Sequence, residues 1–579
     1  MTSPDSAWGG SSTPPAPWQS GRWRLELRDD EIADIRFDGR PVLRSIRGVA
    51  RDRDWGTIPP VVTSVVVERD RLVVLVSLVG RDADLAARLV VEARGDDLDI
   101  SWRCEVRSPF LRNRLGLVVL HPPALAGSAL AITHPDGGVD ASSYPLDISP
   151  HQPAFEIAAL AWTHDGLATR LDFSGDVFEM EDQRNWTDAS YKTYSTPLAV
   201  PFPVRVEAGE TVLQSIRIAC SADSPADAAG AADRIDLVEA HRPVPAVSTS
   251  ASTGSLPSAP SPVGSTLLVE LPAHTEVWRD ALDRAVVEAG GLPLDVRIVG
   301  PSPERLEEVL DAVAPLSLAR IGVFSADTHV SEPGLWRLLV DGLAARALAT
   351  PTVGGTRAHF TELNRELHRL PPGIPAHTFS VTPQMHATGR EQLIESIAMQ
   401  RLVAENAVRM TRTGVHVGPI TLRARFNAVA TTRTPDADVV DLARGYNAAV
   451  TADATDPRQS SPALLAWTVA SAAALAIEGV SSVTWFEASG PRGLRDADGH
   501  AFPVATALDW LADIAGAPLL WASRAPEGLW ALGARKGDTS IVLVASLRAK
   551  PATVTIATSD GEQRIELPAY GARRLEFGL

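Results

Sequence analysis

The sequence predicts a multidomain protein of the α/β plus all-β class, in which a central (β/α)8 TIM barrel is flanked by an N-terminal β-sandwich and a small C-terminal β-domain. Three observations support this prediction. Short β-branched segments dominate the first part of the 579-residue chain, strands and helices alternate in the middle, and strands alone return at the end. At ~150 residues per domain, a chain of this length has room for roughly three to four domains.

Residues 1–242 are predicted to form the sandwich. Arg71–Val79 is nearly continuous in β-branched and aliphatic residues, which is expected of a strand buried on both faces. Further strands are expected at Ala87–Glu92, Leu98–Val106, Leu115–Leu120 and Val204–Val206. The segment Ser142–Phe155 is too rich in proline for a central strand and predicts a long covering loop.

A change of composition separates this part from the barrel. Residues 243–265 are rich in proline and serine and poor in large apolar residues, so they are predicted to be a flexible linker. Residues 266–525 are predicted to form the barrel and residues 526–579 the terminal β-domain. The barrel strands are expected at Thr266–Glu270, Asp295–Val299, Leu318–Phe324, Thr350–Val353, His377–Val381, Gly414–Pro419, Ala448–Thr451 and Ser482–Phe486. Helices are expected at Glu304–Val313, Gly334–Ala347, Arg390–Ala407, Pro435–Ala443 and Ala463–Glu478.

Composition excludes several classes of partner. The formal charge is −17 and no Lys/Arg-rich run occurs, which argues against nucleic acid and against an anionic membrane surface. No apolar run approaches the ~20 residues of a membrane span. Two cysteines, Cys104 and Cys220, cannot build a disulfide framework, and no secretory signal is visible, so a cytoplasmic location is expected. No glycine-rich phosphate loop opens a helix, so no nucleotide cofactor is expected. The sequence does not predict an oligomeric state.

The segment Phe178–Lys192 is the most unusual in the chain. It combines four carboxylates, an arginine, a lysine, amides and three aromatic side chains, a mixture suited to binding a small polyhydroxylated molecule. The candidate ligand-binding residues in it are Glu181, Asp182, Arg184, Asn185, Trp186 and Lys192. The alternative is a solvated hairpin flank with scattered charges.

Polar residues also follow the predicted barrel strands, where barrel enzymes place their chemistry. Glu362 and Asn364 follow the predicted fourth strand, Gln384 and His386 the fifth, Asp456 and Arg458 the seventh, and Glu487 the eighth. Several have a structural alternative. Asp456 would also suit the cap of a helix that begins near Ser460. Glu362 and Asn364 would also suit the first turn of a helix, His386 a core position, and Glu487 a buried salt bridge to Arg458 or Arg492. No metal site is predicted, because no His-x-His or His-x-x-x-His spacing occurs; the carboxylates around Glu181 are the alternative for a hard cation.

Five stretches together resemble the D-apionate lactonase family: Phe178–Tyr194, Gly354–Arg365, Thr382–Ala387, Asp456–Gln459 and Val483–Glu487. The resemblance spans nearly the whole chain and the order of its domains. It implies a bacterial sugar-catabolism enzyme that opens D-apionolactone to D-apionate, with a small sugar lactone as its partner. The layout is also similar to clan A glycoside hydrolases, which typically place glutamates after strands four and seven.

Lactone hydrolysis requires a base for water, a donor for the oxyanion and a proton source for the leaving alkoxide. Because no Gly-x-Ser-x-Gly elbow occurs, carboxylate-activated water is the simpler mechanism. The predicted catalytic residues are Glu362 and Glu487, with His386 as the alternative base. The Phe178–Lys192 segment is expected to close over the barrel mouth. The alternatives are a glycosidase with two carboxylates and a non-catalytic carbohydrate-binding protein.

Overall fold

The N-terminal part of the computed structural model is a sandwich of two nine-stranded antiparallel sheets. The structure describes residues 7–8, 15–222, 233–522 and 524–578, apart from 255, 258, 427 and 429–453. The first sheet contains Ala16–Ser20, Trp23–Arg28, Glu31–Phe37, Arg40–Asp52, Phe110–His121, Tyr191–Tyr194, Phe178–Asp182 and Ala154–Ile157, with Val204–Val206 beside Phe110–His121. The second contains Val139–Ser143, Ala129–Thr133, Ala159–His164, Leu167–Ser174, Thr211–Ala222, Asp97–Ser108, Ala83–Arg94, Arg71–Gly80 and Pro60–Val67.

The predicted sandwich is confirmed, and each predicted strand lies inside a strand that is at least as long. One detail of burial is wrong. Arg71–Gly80 is covered on one face only, since Leu75 is 38% exposed and Val79 is 56% exposed on the other. A strand near the edge of an antiparallel sheet can carry β-branched residues on its solvent face, because these side chains also suit the pleated backbone.

The middle of the chain forms a barrel of eight parallel strands, as predicted. In chain order they are Ala246–Ser250, Leu267–Pro272, Leu294–Val299, Leu318–Phe324, Gly354–His359, Ala376–Val381, Gly414–Ile420 and Val480–Glu487. The first strand pairs with the second and the eighth. A bridge between Ile321 and Thr352 joins the fourth strand to the residues just before the fifth.

The predicted linker is wrong, because it contains the first barrel strand. Val247, Ser248 and Thr249 are at most 2% exposed. The hydroxyls that suggested a solvated segment are satisfied inside the barrel: Ser248 Oγ lies 2.6 Å from Thr266 Oγ1, and Ser250 Oγ donates to the Phe486 carbonyl at 2.9 Å. Serine and threonine can therefore form a buried strand when neighbouring strands supply their hydrogen-bond partners.

Because Ala246–Ser250 is the first barrel strand, the strands predicted as the first to the sixth are each numbered one higher in the structure. The predicted fourth strand at Thr350–Val353 is wrong, since the strand is Gly354–His359, the fifth. Glycine is required there: Gly355 has a φ of +108°, and a Cβ on it would lie 2.6 Å from the Thr378 carbonyl oxygen. Glu362 thus follows the fifth strand and His386 the sixth. The predicted strand Ala448–Thr451 and helix Pro435–Ala443 lie outside the described residues.

Helices surround the barrel at Trp278–Ala289, Pro303–Val313, Pro333–Ala345, Phe360–Glu366, Arg390–Thr411, Pro462–Leu475 and Pro503–Ile514. Two small sheets complete the molecule. One contains Val238–Pro243, Pro518–Trp521, Leu529–Lys536, Thr539–Ser546 and Ala572–Gly578, and the other contains Arg234–Asp236, Ala552–Thr558 and Gly561–Leu567. The C-terminal β-domain therefore includes strands that precede the barrel, which a boundary at residue 242 assigns to the sandwich. Among the described helices, none has the length and apolarity that crossing a membrane demands.

Candidate active site between the sandwich and the barrel

The segment Phe178–Lys192 lies against the carboxyl-terminal end of the barrel, where it was expected. Thr187 Oγ1 donates to the carbonyl of Thr382, just after the sixth strand, at 3.1 Å. Asn364 Nδ2, on the helix after the fifth strand, donates to Asn185 Oδ1 at 2.9 Å. The two domains are therefore in direct contact above the fifth and sixth strands.

Three of the predicted ligand-binding residues support the segment itself. Asp182, Arg184 and Asn185 are at most 2% exposed. The Arg184 guanidinium lies 2.7 Å from the Asp182 carboxylate and donates to the Pro145 carbonyl at 2.8 Å, while Asn185 donates to the Ser149 carbonyl at 2.5 Å. Their hydrogen bonds fix the covering loop, so they position the site rather than face a ligand.

The other three, Glu181, Trp186 and Lys192, lie where the two domains meet. Lys192 Nζ lies 2.5 Å from Glu181 Oε2, and both side chains are 13–14% exposed. Burial alone would raise the pKa of the Glu181 carboxyl, but Lys192 and His386 outweigh burial and lower it to about 2. Trp186 provides an aromatic surface: the Arg365 guanidinium lies 4.8 Å from its ring centre, and the His386 ring meets it edge-on at 5.2 Å.

His386 forms a pair with a carboxylate from the other domain. Its Nδ1 lies 2.8 Å from Asp188 Oδ2, and the second oxygen of Asp188 accepts a hydrogen bond from Gln392 at 2.9 Å. The His386 side chain is 21% exposed, so it is not a core histidine. A carboxylate on Nδ1 orients the ring and leaves Nε2 to act as a proton acceptor or donor.

Glu362 occupies the first turn of the helix Phe360–Glu366. One of its oxygens accepts a hydrogen bond from the His359 amide at 3.0 Å, so the helix-opening alternative describes its position correctly. Within the described residues, no Arg or Lys lies within ion-pair distance of the Glu362 carboxylate. Burial raises the pKa of the Glu362 carboxyl to about 7. The same group that begins the helix is therefore ready to exchange a proton near neutral pH.

Unsatisfied polar atoms cluster around Glu362. His359 Nδ1, Thr361 Oγ1 and Arg357 Nε are buried and have no hydrogen-bond partner among the described residues. Burial also lowers the pKa of His359 to about 3, so this imidazole is neutral near neutral pH. Because buried polar groups in native proteins nearly always have partners, such a cluster is expected where a ligand or water completes the structure.

A second charged cluster in the barrel mouth was missed by the sequence analysis. Glu270, in the second barrel strand, lies 3.0 Å from Arg357 and 2.7 Å from Arg425. Burial would raise the pKa of Glu270, but the two arginines lower it to about 2. Glu270 is the only charged residue in the strand Leu267–Pro272, and a lone carboxylate in an apolar strand was the available signal.

Glu487 ends the eighth strand in a saturated ion pair. Its carboxylate accepts from Arg492 Nε at 3.0 Å, from Thr253 Oγ1 at 2.8 Å and from the Thr253 amide at 3.2 Å. The side chain is 5% exposed. This is the structural alternative, with Arg492 as the partner, and it leaves Glu487 poorly placed to take a proton from water.

Asp456, Arg458 and Gln384 form a closed group of their own. Arg458 donates to Asp456 Oδ2 and to Gln384 Oε1, both at 2.7 Å, and Gln384 donates to Asp456 at 2.8 Å. Burial would raise the pKa of Asp456, but Arg458 depresses it strongly. Arg458 thus has its donors committed to neighbours, and so does Asn364, whose amide donates to the Ile148 carbonyl as well as to Asn185.

The backbone is strained at three places around the site. Thr187, His329 and Phe486 are non-glycine residues with φ values of +64°, +61° and +52°. Thr187 and Phe486 directly precede Asp188 and Glu487 in the sequence. His329 is hydrogen-bonded to Arg357. Strained residues of this kind cluster at functional sites, where the surrounding structure holds them in place.

Known protein families match the two large domains of the chain. Residues 5–223 match the family model "D-apionate lactonase, N-terminal domain", and residues 251–516 match "D-apionate lactonase, TIM barrel domain". A D-apionate lactonase from Brucella anthropi is 26% identical over 629 residues, with 97% of each chain covered.

Solved structures that match the chain at low similarity include a beta-arabinopyranosidase and a GH30 endoxylanase from Clostridium papyrosolvens. The first is 11% identical, with a TM-score of 0.33 over 97% of this chain and 100% of that one. The second is 7% identical, with a TM-score of 0.39 over 60% of this chain and 100% of that one. Neither similarity transfers an activity. The two family models, which cover the sandwich and the barrel in turn, show that the chain belongs to the D-apionate lactonase family of hydrolases.

Proposed function

We propose that this protein hydrolyses a sugar lactone, D-apionolactone, to the open acid D-apionate in carbohydrate catabolism, using water activated by Glu362. The observation that carries the proposal is the Glu362 carboxyl, which is buried beside unpartnered polar atoms and whose pKa is raised to about 7. A general base works best when its pKa lies near the working pH. The name of the Brucella anthropi relative supports the choice of substrate.

In the proposed reaction, the Glu362 carboxylate accepts a proton from water while the water oxygen bonds to the lactone carbonyl carbon. The carbonyl electrons move to its oxygen, which becomes an oxyanion. Arg365 is the proposed donor to that oxygen, because one of its N–H groups is committed to the Pro150 carbonyl at 2.9 Å and its remaining groups lie beside Trp186 and Glu181. Such a donor typically contributes about 10²–10³ in rate.

Collapse of the tetrahedral intermediate breaks the ring C–O bond, and the ring oxygen needs a proton as it leaves. His386, held by Asp188 through Nδ1, is the proposed donor through Nε2. A proton that moves from Glu362 to His386 through solvent restores both groups. The net change is addition of one water to the lactone, which gives a hydroxy acid.

Hydroxyl recognition is assigned to Glu181, Lys192 and Trp186. The carboxylate and the ammonium present acceptors and donors, and the indole presents a flat apolar surface to one face of the sugar. In this assignment, Glu487 and the Asp456–Arg458 pair stabilise the barrel mouth and do not bind the sugar.

A glycoside hydrolase is the second candidate, because Glu362 and Glu270 have pKa values pushed apart, to about 7 and about 2. An acid and a nucleophile of a retaining glycosidase need such a difference. Against this, Glu270 is held by two arginines, and Glu362 follows strand five rather than strand four.

The test is a substrate panel. Purified protein is incubated with D-apionolactone and other aldonolactones, with acid release followed by a pH indicator, and separately with aryl glycosides, with chromophore release followed by absorbance. The proposal expects acid release only. Chromophore release, together with trapping of a fluorosugar on Glu270 or Glu362, would replace it with the glycosidase.

A further inference from the structure

Two arginines face each other in the first sandwich sheet. Arg51 lies in the strand Arg40–Asp52 and is directly opposite Arg114 in the strand Phe110–His121. Like charges in directly opposite positions destabilise an antiparallel pair. In the part of the chain that the structure describes, no carboxylate lies within 4.0 Å of either guanidinium. The pair therefore lacks a protein counter-charge in direct contact.

Arg114 is held firmly but is poorly satisfied. It is 7% exposed, and its guanidinium lies 4.9 Å from the ring centre of Trp55 and 5.7 Å from that of Phe202. Its Nη1 donates to the Asn113 carbonyl at 2.6 Å. Its Nε and Nη2 have no hydrogen-bond partner among the described residues. Aromatic rings stabilise the charge but accept none of these N–H groups well, so two donors remain for another acceptor.

Strand alternation gives the direction of both side chains. The neighbours Ala50 and Leu115 are at most 1% exposed and belong to the sandwich core. Because successive residues of a strand point to opposite faces, Arg51 and Arg114 point away from that core.

Lys192 extends the same face into the next strand. It pairs with Leu120, which lies an even number of residues from Arg114 and therefore on the same face. The partner of Lys192 is Glu181, and Glu181 in turn lies 3.8 Å from Arg365 of the barrel. The Lys192 ammonium and the Arg114 guanidinium both lie against the Tyr194 ring, at 4.8 and 5.6 Å from its centre. This ring joins the two arginines to the charged residues beside the proposed reaction centre.

The nearby carboxylates do not balance these charges. Glu181 is already paired with Lys192 at 2.5 Å. Glu179 accepts hydrogen bonds from the Tyr194 hydroxyl and from the Leu198 amide, the latter at 2.8 Å. Burial lowers the pKa of Arg51 and of Arg114, as expected of cations whose counter-charge is incomplete.

We propose that Arg51 and Arg114, beside the Lys192–Glu181 pair, form a subsite for the carboxylate of a hydroxylated acid. The inference rests on the proposed function, since hydrolysis of a lactone creates such a group. The carboxylate has two sources: it is the one formed by ring opening, which then moves from Arg365 to this face, or it is a second acid group carried by the lactone. Arg51 Nη1 already donates to the Trp55 carbonyl at 3.0 Å, so the open donors are those of Arg114. A carboxylate can accept from these donors and neutralise part of the charge of both arginines.

The test measures binding rather than turnover. Calorimetry compares D-apionate with the neutral alditol of the same carbon skeleton, for the wild-type protein, Arg51→Gln and the control Arg47→Gln. Arg47 lies in the same strand but is already paired with Asp30 at 3.0 Å. We expect the wild type to prefer the acid, Arg51→Gln to lose about tenfold to a hundredfold in affinity for it, and the control to keep it. Equal wild-type affinity for acid and alditol, or an unchanged preference in Arg51→Gln, would overturn the subsite.

Two further measurements keep the interpretation clear. Arg51→Lys retains the charge and should keep most of the acid preference, which separates loss of the cation from loss of folding. Comparing kcat/KM for an aldonolactone and for an aldarolactone identifies the source: an Arg51-dependent preference for the aldarolactone assigns the carboxylate to the substrate, and its absence assigns it to the product. If the substrate panel shows no lactone hydrolysis while acid binding still requires Arg51, the proposed function fails and the subsite stands.

Discussion

A buried glutamate lies just after the fifth barrel strand and another ends the eighth, but the protein surrounds the two carboxylates differently. Glu487 receives hydrogen bonds from Arg492 and from both the hydroxyl and the amide of Thr253. Glu362 receives one from the His359 amide, with no Arg or Lys in ion-pair contact among the described residues. Burial is nearly equal, at 5% and 8% exposure, so burial does not distinguish them. The partners do.

This difference assigns opposite roles. A buried carboxylate with a full set of donors is a structural anion, and removing it leaves its cation buried without a partner. A buried carboxylate with few donors is destabilised in its charged form and exchanges its proton at a higher pH. Glu362 thus costs stability in a way that serves proton transfer, which is the usual relation between stability and activity at a catalytic site.

The largest expected effect follows from removing the proton acceptor. Glu362→Gln keeps an oxygen that can accept from the His359 amide but cannot take a proton from water. We expect kcat for lactone hydrolysis to fall by about a hundredfold to ten-thousandfold, with little change in KM. Steady-state kinetics on D-apionolactone measure both values.

Glu366→Gln is the matched control, because Glu366 lies one turn further along the same helix in an ion pair with Arg369 at 2.5 Å. It should retain wild-type kcat. A Glu362→Gln variant with wild-type kcat would move the base to His386.

The second effect concerns the histidine that spans the domains. His386→Gln removes the proposed proton donor and its hydrogen bond to Asp188. We expect kcat to fall by about a hundredfold, which is the lower end of the range for general acid–base groups, because the leaving alkoxide can still be protonated by water. A leaving group of lower pKa should reduce the loss, and a series of lactone or ester analogues measures this. A loss that is the same for every leaving group would contradict the role of proton donor.

Replacing Glu487, the glutamate with a full set of donors, is expected to reduce stability rather than activity. Glu487→Gln leaves the Arg492 charge buried without its carboxylate, and breaking a buried pair typically costs about 3–5 kcal/mol of unfolding free energy. Denaturant unfolding measures this, while kcat at a temperature where the variant is folded should stay close to that of the wild type. If kcat falls by about a hundredfold and stability is unchanged, Glu487 has the catalytic role and the assignment is reversed.

Much of this architecture could be predicted from residue patterns. The apolar strands of the barrel and the position of Glu362 after one of them follow from local composition. The first barrel strand could not be found in that way, because Ser248, Thr249 and Ser250 become suitable for burial only when their neighbours accept their hydroxyls. The partner of Glu487 was likewise open between Arg458 and Arg492, since sequence spacing does not determine which guanidinium reaches the carboxylate.

The cross-domain features depend even more on the fold. The pairing of His386 with Asp188 joins residues that are 198 positions apart. The opposition of Arg51 and Arg114 requires the register of two strands. Asp182, Arg184 and Asn185 have the composition of a binding site. Asp182, however, accepts from the Ser149 amide and from Arg184, while Arg184 and Asn185 donate to nearby backbone carbonyls. Residue types therefore indicated where charge gathers, and geometry decided which charges are available to a ligand.

A smaller effect concerns stability as a function of pH. The pKa of Glu362 is raised in the folded protein from 4.5 to about 7, so the folded state binds this proton more tightly than the unfolded state does. The resulting stabilisation is complete below about pH 4.5 and is lost as the pH rises to about 7. Its size is at most about 3 kcal/mol.

Glu362→Gln does not titrate, so it should gain stability relative to the wild type between pH 4.5 and 7, and chemical denaturation at several pH values measures the difference. A difference that is constant across this pH range would show that the pKa of Glu362 is not raised.

The smallest expected effect is that of a chelator. The carboxylates of the site are already engaged by protein groups: Glu181 by Lys192, Asp188 by His386 and Gln392, and Glu362 by a backbone amide. Among the described residues, the one grouping with metal-ligand geometry is the largely exposed Asp496, Asp498 and His500. Since carboxylate-activated water needs no Lewis acid, activity after treatment with EDTA should equal that of the untreated enzyme. Loss of activity that one divalent ion restores would instead make Glu181 and Asp188 ligands, and His386 would then have to release Asp188 when the ion binds.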